Sequence, residues 1–253
     1  MGKETDIQWC TSSWNPWSGC IKVSSGCKFC YMYRDKERFK QDPSVVVRSK
    51  TTFNNPLKWK DPKIIFTCSW SDWFIDKADA WRDEAWDIIK RTPHHTYQIL
   101  TKRPERILEH LPKDWGDGYE NVWMGVSAED QENYDKRIGY LSEIKAKVKF
   151  LSLEPLLAPI NLHNRAITGG LLPSSPDWVI VGGESGNETG NYRYRPCEIA
   201  WISEIVSKCK EDNISVFVKQ LGTHLGKTMK LNDNAGGEIS EFPTDIQIRE
   251  MPR

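Results

Sequence analysis

The chain is 253 residues long, with 35 Lys+Arg against 35 Asp+Glu and a formal net charge of zero. That balance excludes bulk electrostatic attraction to nucleic acid or an anionic membrane and leaves only a local basic groove for such contacts. Hydrophobic residues at 38% and charged residues at 28% fit a soluble globular protein with enough chain to bury a large core.

The opening MGKETDIQWC has no apolar segment of the secretory type, and no apolar run approaches the roughly 18 residues of a membrane span. The expectation is a cytoplasmic protein without membrane contact. Of its seven cysteines, three fall within the stretch 20–30, and the others are scattered at 10, 68, 197 and 209. No secreted disulfide framework looks like that, and a reducing compartment suits it.

Trp14–Tyr31, WNPWSGCIKVSSGCKFCY, sets Cys20, Cys27 and Cys30 in a C-x6-C-x2-C pattern within a Gly/Ser/Pro-rich loop. Thiolates converging from one short loop normally share a metal ion or a cluster. Next, residues 31–42 read as a helix stopped near Pro43, and residues 43–60 as an irregular, basic and aromatic connection. A rhythm then begins. Strands are expected at Ile64–Thr67, Tyr97–Leu100, Val122–Val126, Lys149–Leu153, Trp178–Val181 and Ser215–Val218. Helices are expected between them, at Ala78–Arg91, Arg103–His110, Gln131–Lys145 and Glu198–Asp212. Short, almost continuously apolar strands alternating with helices indicate parallel βα units with both sheet faces covered. The tail after Gly222 reads as a hairpin or strap.

With one strand feeding the cysteine loop, seven strands result. Both a (βα) TIM-type barrel, full or partial, and a doubly wound sheet use such units. Nearly every strand here ends in a polar cluster: Cys68–Asp72, Thr101–Arg103, Ser127–Asp130, Glu154-Pro155, Gly182–Ser185 and Lys219-Gln220. A barrel collects ligand groups from every strand at one mouth, whereas a doubly wound sheet concentrates them at its switch point, so the barrel is favoured. The expected organisation is one barrel domain over 1–253, with 1–13 as a lead-in and 223–253 as the strap. Of the twelve tryptophans, Trp14, Trp17, Trp70 and Trp73 lie in polar loops and suit a cavity lining; Trp81 and Trp86 suit core filling.

Spacing alone leaves the cysteine loop open between two chemistries. A structural zinc site needs four ligands, and Cys10 with Cys20 would make a loose second pair beside Cys27-x2-Cys30. A four-iron cluster on three cysteines instead leaves one iron open to a ligand. A C-x2-C redox dithiol would leave Cys20 unexplained. Lys102 and Arg103 suit a carboxylate or phosphate beside the helix start that Pro104 favours. Ser127 and Asp130 also suit the cap of the following helix, as Asp72 and Glu184 suit caps of theirs. Glu154, held extended by Pro155, needs a partner if buried, and Lys219 is the candidate. Asn187–Arg195, NETGNYRYR, and Lys50–Lys60 combine aromatic and basic side chains suited to base stacking and phosphate contact.

The blocks WNPWSGCIKVSSGCKFCY, CSWSDWF, LTKRPER, WMGVSAED, LSLEPLLAPI, WVIVGGESG and FVKQLG, from about residue 7 to 247, resemble a phage- and prophage-associated family of three-cysteine-motif proteins. That family is similar to the radical S-adenosylmethionine superfamily, whose usual motif is C-x3-C-x2-C with an aromatic residue before the last cysteine. Cys27-Lys28-Phe29-Cys30 fits the second half; the first gap is six rather than three. The resemblance implies a [4Fe-4S] cluster on Cys20, Cys27 and Cys30, S-adenosyl-L-methionine as cosubstrate, and a flavodoxin- or ferredoxin-type reductant. It argues against Cys10 as a fourth ligand. The superfamily's Gly-Gly-Glu follows the second strand; here that place holds Ser69-Trp70-Ser71-Asp72, and Gly182-Gly183-Glu184 comes much later. By position, Ser69 or Asp72 would serve the methionine amine, Lys102 and Arg103 the carboxylate, Ser127 the ribose, and Gly183-Glu184 the ribose or substrate. Phe29, Tyr31, Glu154 and Lys219 complete the cofactor-side set. The expected activity is modification or repair of a nucleic acid or nucleotide, with a partner protein encoded nearby. The alternative is a zinc- or cluster-stabilised binding protein of a phage without turnover.

Overall fold

A computed structural model describes Thr5, residues 7–162 and residues 174–252. Its elements run β1 (Ser12–Trp14), β2 (Trp17–Ser18), α1 (Tyr31–Arg38), β3 (Val47–Arg48), β4 (Ile64–Thr67), α2 (Asp79–Arg91), β5 (Thr96–Thr101) and β6 (Val122–Ser127). They continue with α3 (Gln131–Glu143), β7 (Val148–Leu153), β8 (Trp178–Gly182), α4 (Ile199–Glu211), β9 (Ser215–Gln220) and α5 (Thr223–Thr228). Each of the six expected core strands is present, and β1 is the strand that feeds the cysteine loop.

The seven-stranded sheet has the order β1-β4-β5-β6-β7-β8-β9. Order along the sheet follows order along the chain, so there is no reversal of the kind a doubly wound fold needs. This is an α/β fold with the strand sequence of a partial barrel. Parallel pairing is specified by composition: strands such as Trp178–Gly182 are buried at every position, which only a sheet covered on both faces allows.

The chain falls into two compact units. The first holds residues up to 23, Tyr31–Val126 and Ile144–Lys149. In it β1, β4, β5 and β6 pair in parallel, with Ser12 opposite Ile65, Ile65 opposite Tyr97 and Tyr97 opposite Val122. Helix α2 buries Arg82, Ala85, Trp86, Ile88 and Ile89, the spacing of a single helical face. Arg82 is 2% exposed, yet its donors are satisfied by Trp73 O (2.9 Å), Ile75 O (2.7 Å) and Asp79 Oδ1 (2.6 Å). That guanidinium ties the 73–75 loop to the helix. Trp14, Trp17 and Trp73 are fully buried, so these three pack the core rather than line a cavity, and Trp81 is only half-buried.

The second unit holds Ser24–Cys30, Ser127–Glu143 and residues from Phe150 on. There β7, β8 and β9 pair in parallel, with Leu151 opposite Val179 and Val179 opposite Val216. Helix α4 packs Ile202, Ile205, Val206 and Cys209 inward. Near its end the chain runs antiparallel beside β9: Val218 N donates to Ile248 O and Glu250 N to Val216 O, both at 2.9 Å. It covers an otherwise open sheet edge.

Two helices are shorter than the sequence suggests. Residues 31–42 are helical only to Arg38, because Lys40 adopts φ 55° and Gln41 N turns back to Lys36 O at 2.9 Å. Residues 103–110 form two tight turns, Pro104–Arg106 and Leu108–His110, instead of one helix. Pro104 withholds a donor and Pro112 lies just ahead, so the segment closes with short-range bonds such as Ile107 N to Pro104 O (3.1 Å).

Candidate functional site

Within each unit, the polar clusters expected at strand ends occupy the turns just past the C-terminal ends of the strands, the side on which parallel α/β folds collect ligand groups. The cysteine motif is divided: Cys20 belongs to the first unit, Cys27 and Cys30 to the second.

Around Cys20, Arg103 is the organising group. Its Nη1 lies 3.8 Å from Cys20 Sγ, and its Nη2 donates to Ile21 O at 2.7 Å. The same guanidinium pairs with Asp72 at 3.2 Å, and both side chains are more than nine-tenths buried. Burial opposes its charge, but Asp72 and Cys20 prevail and hold Arg103 above its ordinary value. Asp72 also accepts from Thr101 Oγ1 (2.7 Å), Lys102 N (2.9 Å) and Phe74 N (2.9 Å). A carboxylate with four donors is fixed. Arg103 and Asp72 therefore face each other and the loop backbone. Tyr31 donates its hydroxyl to Ser69 O (2.5 Å), Asn15 Nδ2 donates to Ser69 Oγ (2.9 Å), and Tyr33 donates to Cys20 O (2.5 Å).

Cys27 and Cys30 lie on a segment clamped from two directions. Fully buried Glu129 accepts Gly26 N at 3.0 Å through Oε1, while its Oε2 pairs with buried Arg137 at 3.0 Å. Arg137 also donates to Ser127 O at 2.7 Å, which joins the end of β6 to α3. From the other side, Glu184 grips Arg195 through Oε1–Nη2 (2.6 Å) and Oε2–Nε (2.8 Å). Arg195 Nη1 then donates to Ser25 O at 3.0 Å, and the guanidinium lies 5.2 Å from the Phe29 ring centroid. So Gly182-Gly183-Glu184 contributes a carboxylate that acts through an arginine on the loop. Ser127 does not cap α3; Asp130 does, accepting Asn133 N at 2.9 Å.

Glu154 pairs with Lys219 at 3.0 Å, as its burial required. Gly182 permits this, since a Cβ there would sit 2.9 Å from Glu154 Oε1. A Cβ on Gly183 would meet Leu221 O at 2.2 Å, so only glycine lets β8 and β9 end this close. In the 187–195 loop, Tyr194 donates to Glu188 at 2.6 Å and Arg195 is held by Glu184. Neither is a free platform for a base or phosphate; in the 50–60 segment Lys50, Lys58 and Lys60 are exposed.

None of the seven cysteines is in a disulfide. Cys20, Cys27 and Cys30 reach solvent in part, whereas Cys68, Cys197 and Cys209 are buried. Burial pushes the Cys197 and Cys209 thiols up to about 12, and raises Cys68 well above its ordinary value. Alkylation of the native, metal-free chain at about pH 8 should therefore mark Cys10, Cys20, Cys27 and Cys30, with the buried three reacting only after denaturation. Peptide mass mapping reads this directly. Among the described residues, no group of three or more His, Cys, Asp or Glu side chains is gathered to hold a metal ion. The donor chemistry of the three loop thiols suits thiolate ligation of iron or of zinc.

A family model described as a protein of unknown function, DUF5131, matches residues 4–244. The chain belongs to this family. No curated protein and no solved structure matches it. For this DUF5131 member the residues that sequence reasoning missed are Glu129, Arg137 and the clamping role of Arg195. Only Glu129 carried a signal, as a second carboxylate beside Asp130 at a strand end. Because a Cβ on Gly26 would lie 3.0 Å from Glu129 Cδ, Gly26→Ala should destabilise the chain by about 1–3 kcal/mol in urea titration.

Proposed function

We propose that this chain is a radical S-adenosylmethionine enzyme that uses Cys20, Cys27 and Cys30 to hold a [4Fe-4S] cluster and acts on a nucleic acid or nucleotide. One observation carries this reading: the C-x6-C-x2-C loop leaves the first strand of a sheet whose order follows the chain, and its three cysteines are in no disulfide and partly accessible. Three thiolates leave one iron of such a cluster without a protein ligand, the place where a cosubstrate binds. When bound, such a cluster would supply one-electron reduction of S-adenosylmethionine, cleaving it to methionine and a 5′-deoxyadenosyl radical.

The chain's own residues divide the remaining work. Arg103 with Asp72 fixes the backbone at Cys20 and Ile21, while Glu129 and the Glu184–Arg195 pair fix the backbone at Ser25 and Gly26. These five serve the site by holding its loops. The cosubstrate's polar groups fall to Ser69, Lys102, Ser127, Glu154 and Lys219, and Phe29 offers an aromatic face beside Cys30. The electron comes from a flavodoxin- or ferredoxin-type reductant. Anaerobic, iron-loaded protein with dithionite and S-adenosylmethionine should release 5′-deoxyadenosine, and Cys27→Ala should abolish it. Iron-loaded protein that releases none would overturn the reading.

Exposed Lys50, Lys58 and Lys60 supply the phosphate contacts. Reversing all three to glutamate should weaken binding of a single-stranded oligonucleotide and flatten its salt dependence by about 2 in the log–log slope.

A further inference from the structure

The first unit contains a continuous file of aromatic rings. Trp17, three residues before Cys20, lies 5.1 Å from Trp73 between ring centroids; Trp73 lies 5.0 Å from Trp86; Trp86 lies 5.6 Å from Trp115; Trp115 lies 5.0 Å from Tyr119. Trp86 also meets Tyr119 directly at 6.4 Å. Trp17, Trp73, Trp86 and Trp115 are buried, while Tyr119 is half-exposed and lines a cavity of about 530 Å³ beside α2. At the inner end, Trp17 Nε1 donates to Asp72 O (3.1 Å), and Asp72 is the partner of the arginine that touches Cys20.

Packing alone asks for apolar bulk. It does not ask for the proton chemistry that these rings display. A tryptophan radical cation passes its hole onward only while it keeps its N–H proton, so a relay must offer its tryptophans no base. Trp73 Nε1 has no hydrogen-bond partner among the described residues. Trp17, Trp86 and Trp115 donate to the backbone carbonyls of Asp72, His110 and Lys145 (3.1, 3.0 and 2.8 Å), which are not proton acceptors of useful strength. Tyr119 differs: its hydroxyl donates at 2.6 Å to the carboxylate of Asp114, an exposed residue. The side branch through Trp14 to Tyr97 (each step 5.8 Å) has no such end, because among the described residues the Tyr97 hydroxyl bonds to that of Thr92 and to no carboxylate.

We infer that Trp17, Trp73, Trp86, Trp115 and Tyr119 form a one-electron relay that carries oxidising equivalents from the Cys20 end of the unit to the surface. The oxidant is of the oxygen-derived radical class; it gains one electron and becomes its anion. Tyr119 loses that electron in the end, its phenolic proton passes to the Asp114 carboxylate, and a neutral tyrosyl radical faces the cavity, where a small-molecule reductant can quench it. The function is protection of the cysteine end from oxidative damage, and it does not rest on the radical chemistry proposed above.

The test is flash-quench photo-oxidation. A ruthenium polypyridyl label is tethered to Cys20 in a full-length chain carrying Cys10→Ser, Cys27→Ser and Cys30→Ser, with Tyr33→Phe removing the phenol that donates to Cys20 O. Electron paramagnetic resonance after freezing should show a neutral tyrosyl radical. Tyr119→Phe should replace it with a tryptophan radical, Trp73→Phe should eliminate it, and Asp114→Asn should suppress it. The two phenylalanine variants keep a ring in place, and near-ultraviolet circular dichroism checks their packing. A tyrosyl signal that survives Tyr119→Phe or Trp73→Phe in folded protein, or no protein radical in the parent, would overturn the relay.

Discussion

Replacing Glu129 by alanine is expected to cost about 3–5 kcal/mol of folding free energy, because it strands a buried guanidinium. Arg137 is 6% exposed and its partner carboxylate is fully buried, so water cannot replace the lost charge. The substitution also removes the acceptor of the Gly26 amide. Urea titration should show a lower midpoint with an unchanged slope, and hydrogen exchange at Gly26 should accelerate. Glu129→Gln retains an acceptor for Gly26 but not the charge, and should fall between. A midpoint shift in Glu129→Ala worth less than about 0.5 kcal/mol, the size of an ordinary surface substitution, would mean that the pair does not hold this loop.

Asp72→Ala should be comparably damaging, again about 3–5 kcal/mol, since it leaves Arg103 buried and uncompensated. Three further donors, Thr101 Oγ1, Lys102 N and Phe74 N, lose their acceptor at the same time. Adding Arg103→Met removes the stranded charge, so the double variant should recover part of the loss, a non-additivity of roughly 1–3 kcal/mol. Simple additivity would show that Asp72 and Arg103 act independently. The cycle also has a chemical readout. Arg103 holds Ile21 O and places its cation beside Cys20 Sγ, where it favours the reactive thiolate, so its loss should slow alkylation of Cys20 while leaving Cys10 unaffected.

Much of the fold was legible because the strands announce themselves. Runs such as IIFT and WVIV are apolar without alternation, which only a doubly covered parallel sheet tolerates, and the polar residues after them mark where each strand stops. The Glu154–Lys219 pair could be anticipated because a carboxylate held extended before proline had to find a cation. The clamp on the cysteine loop could not. Glu129 lies 103 residues from Gly26, and Arg195 lies 170 from Ser25; no local pattern connects them. Trp17 and Trp73 sit in polar sequence and looked like a cavity lining. Arg82 draws their loop inward through its bonds to Trp73 O and Ile75 O. The helix expected at 103–110 failed for a local reason, the prolines at 104 and 112.

Everything proposed for the cysteine loop depends on Cys20, Cys27 and Cys30 carrying an iron–sulfur cluster with one open iron. Anaerobic purification followed by iron, sulfide and zinc analysis tests it most directly. The expected result is a brown protein with about four irons and four sulfides per chain, lost in Cys20→Ala, Cys27→Ala and Cys30→Ala alike and retained in Cys10→Ala. A colourless protein with one tightly bound zinc, lost also in Cys10→Ala, would contradict it.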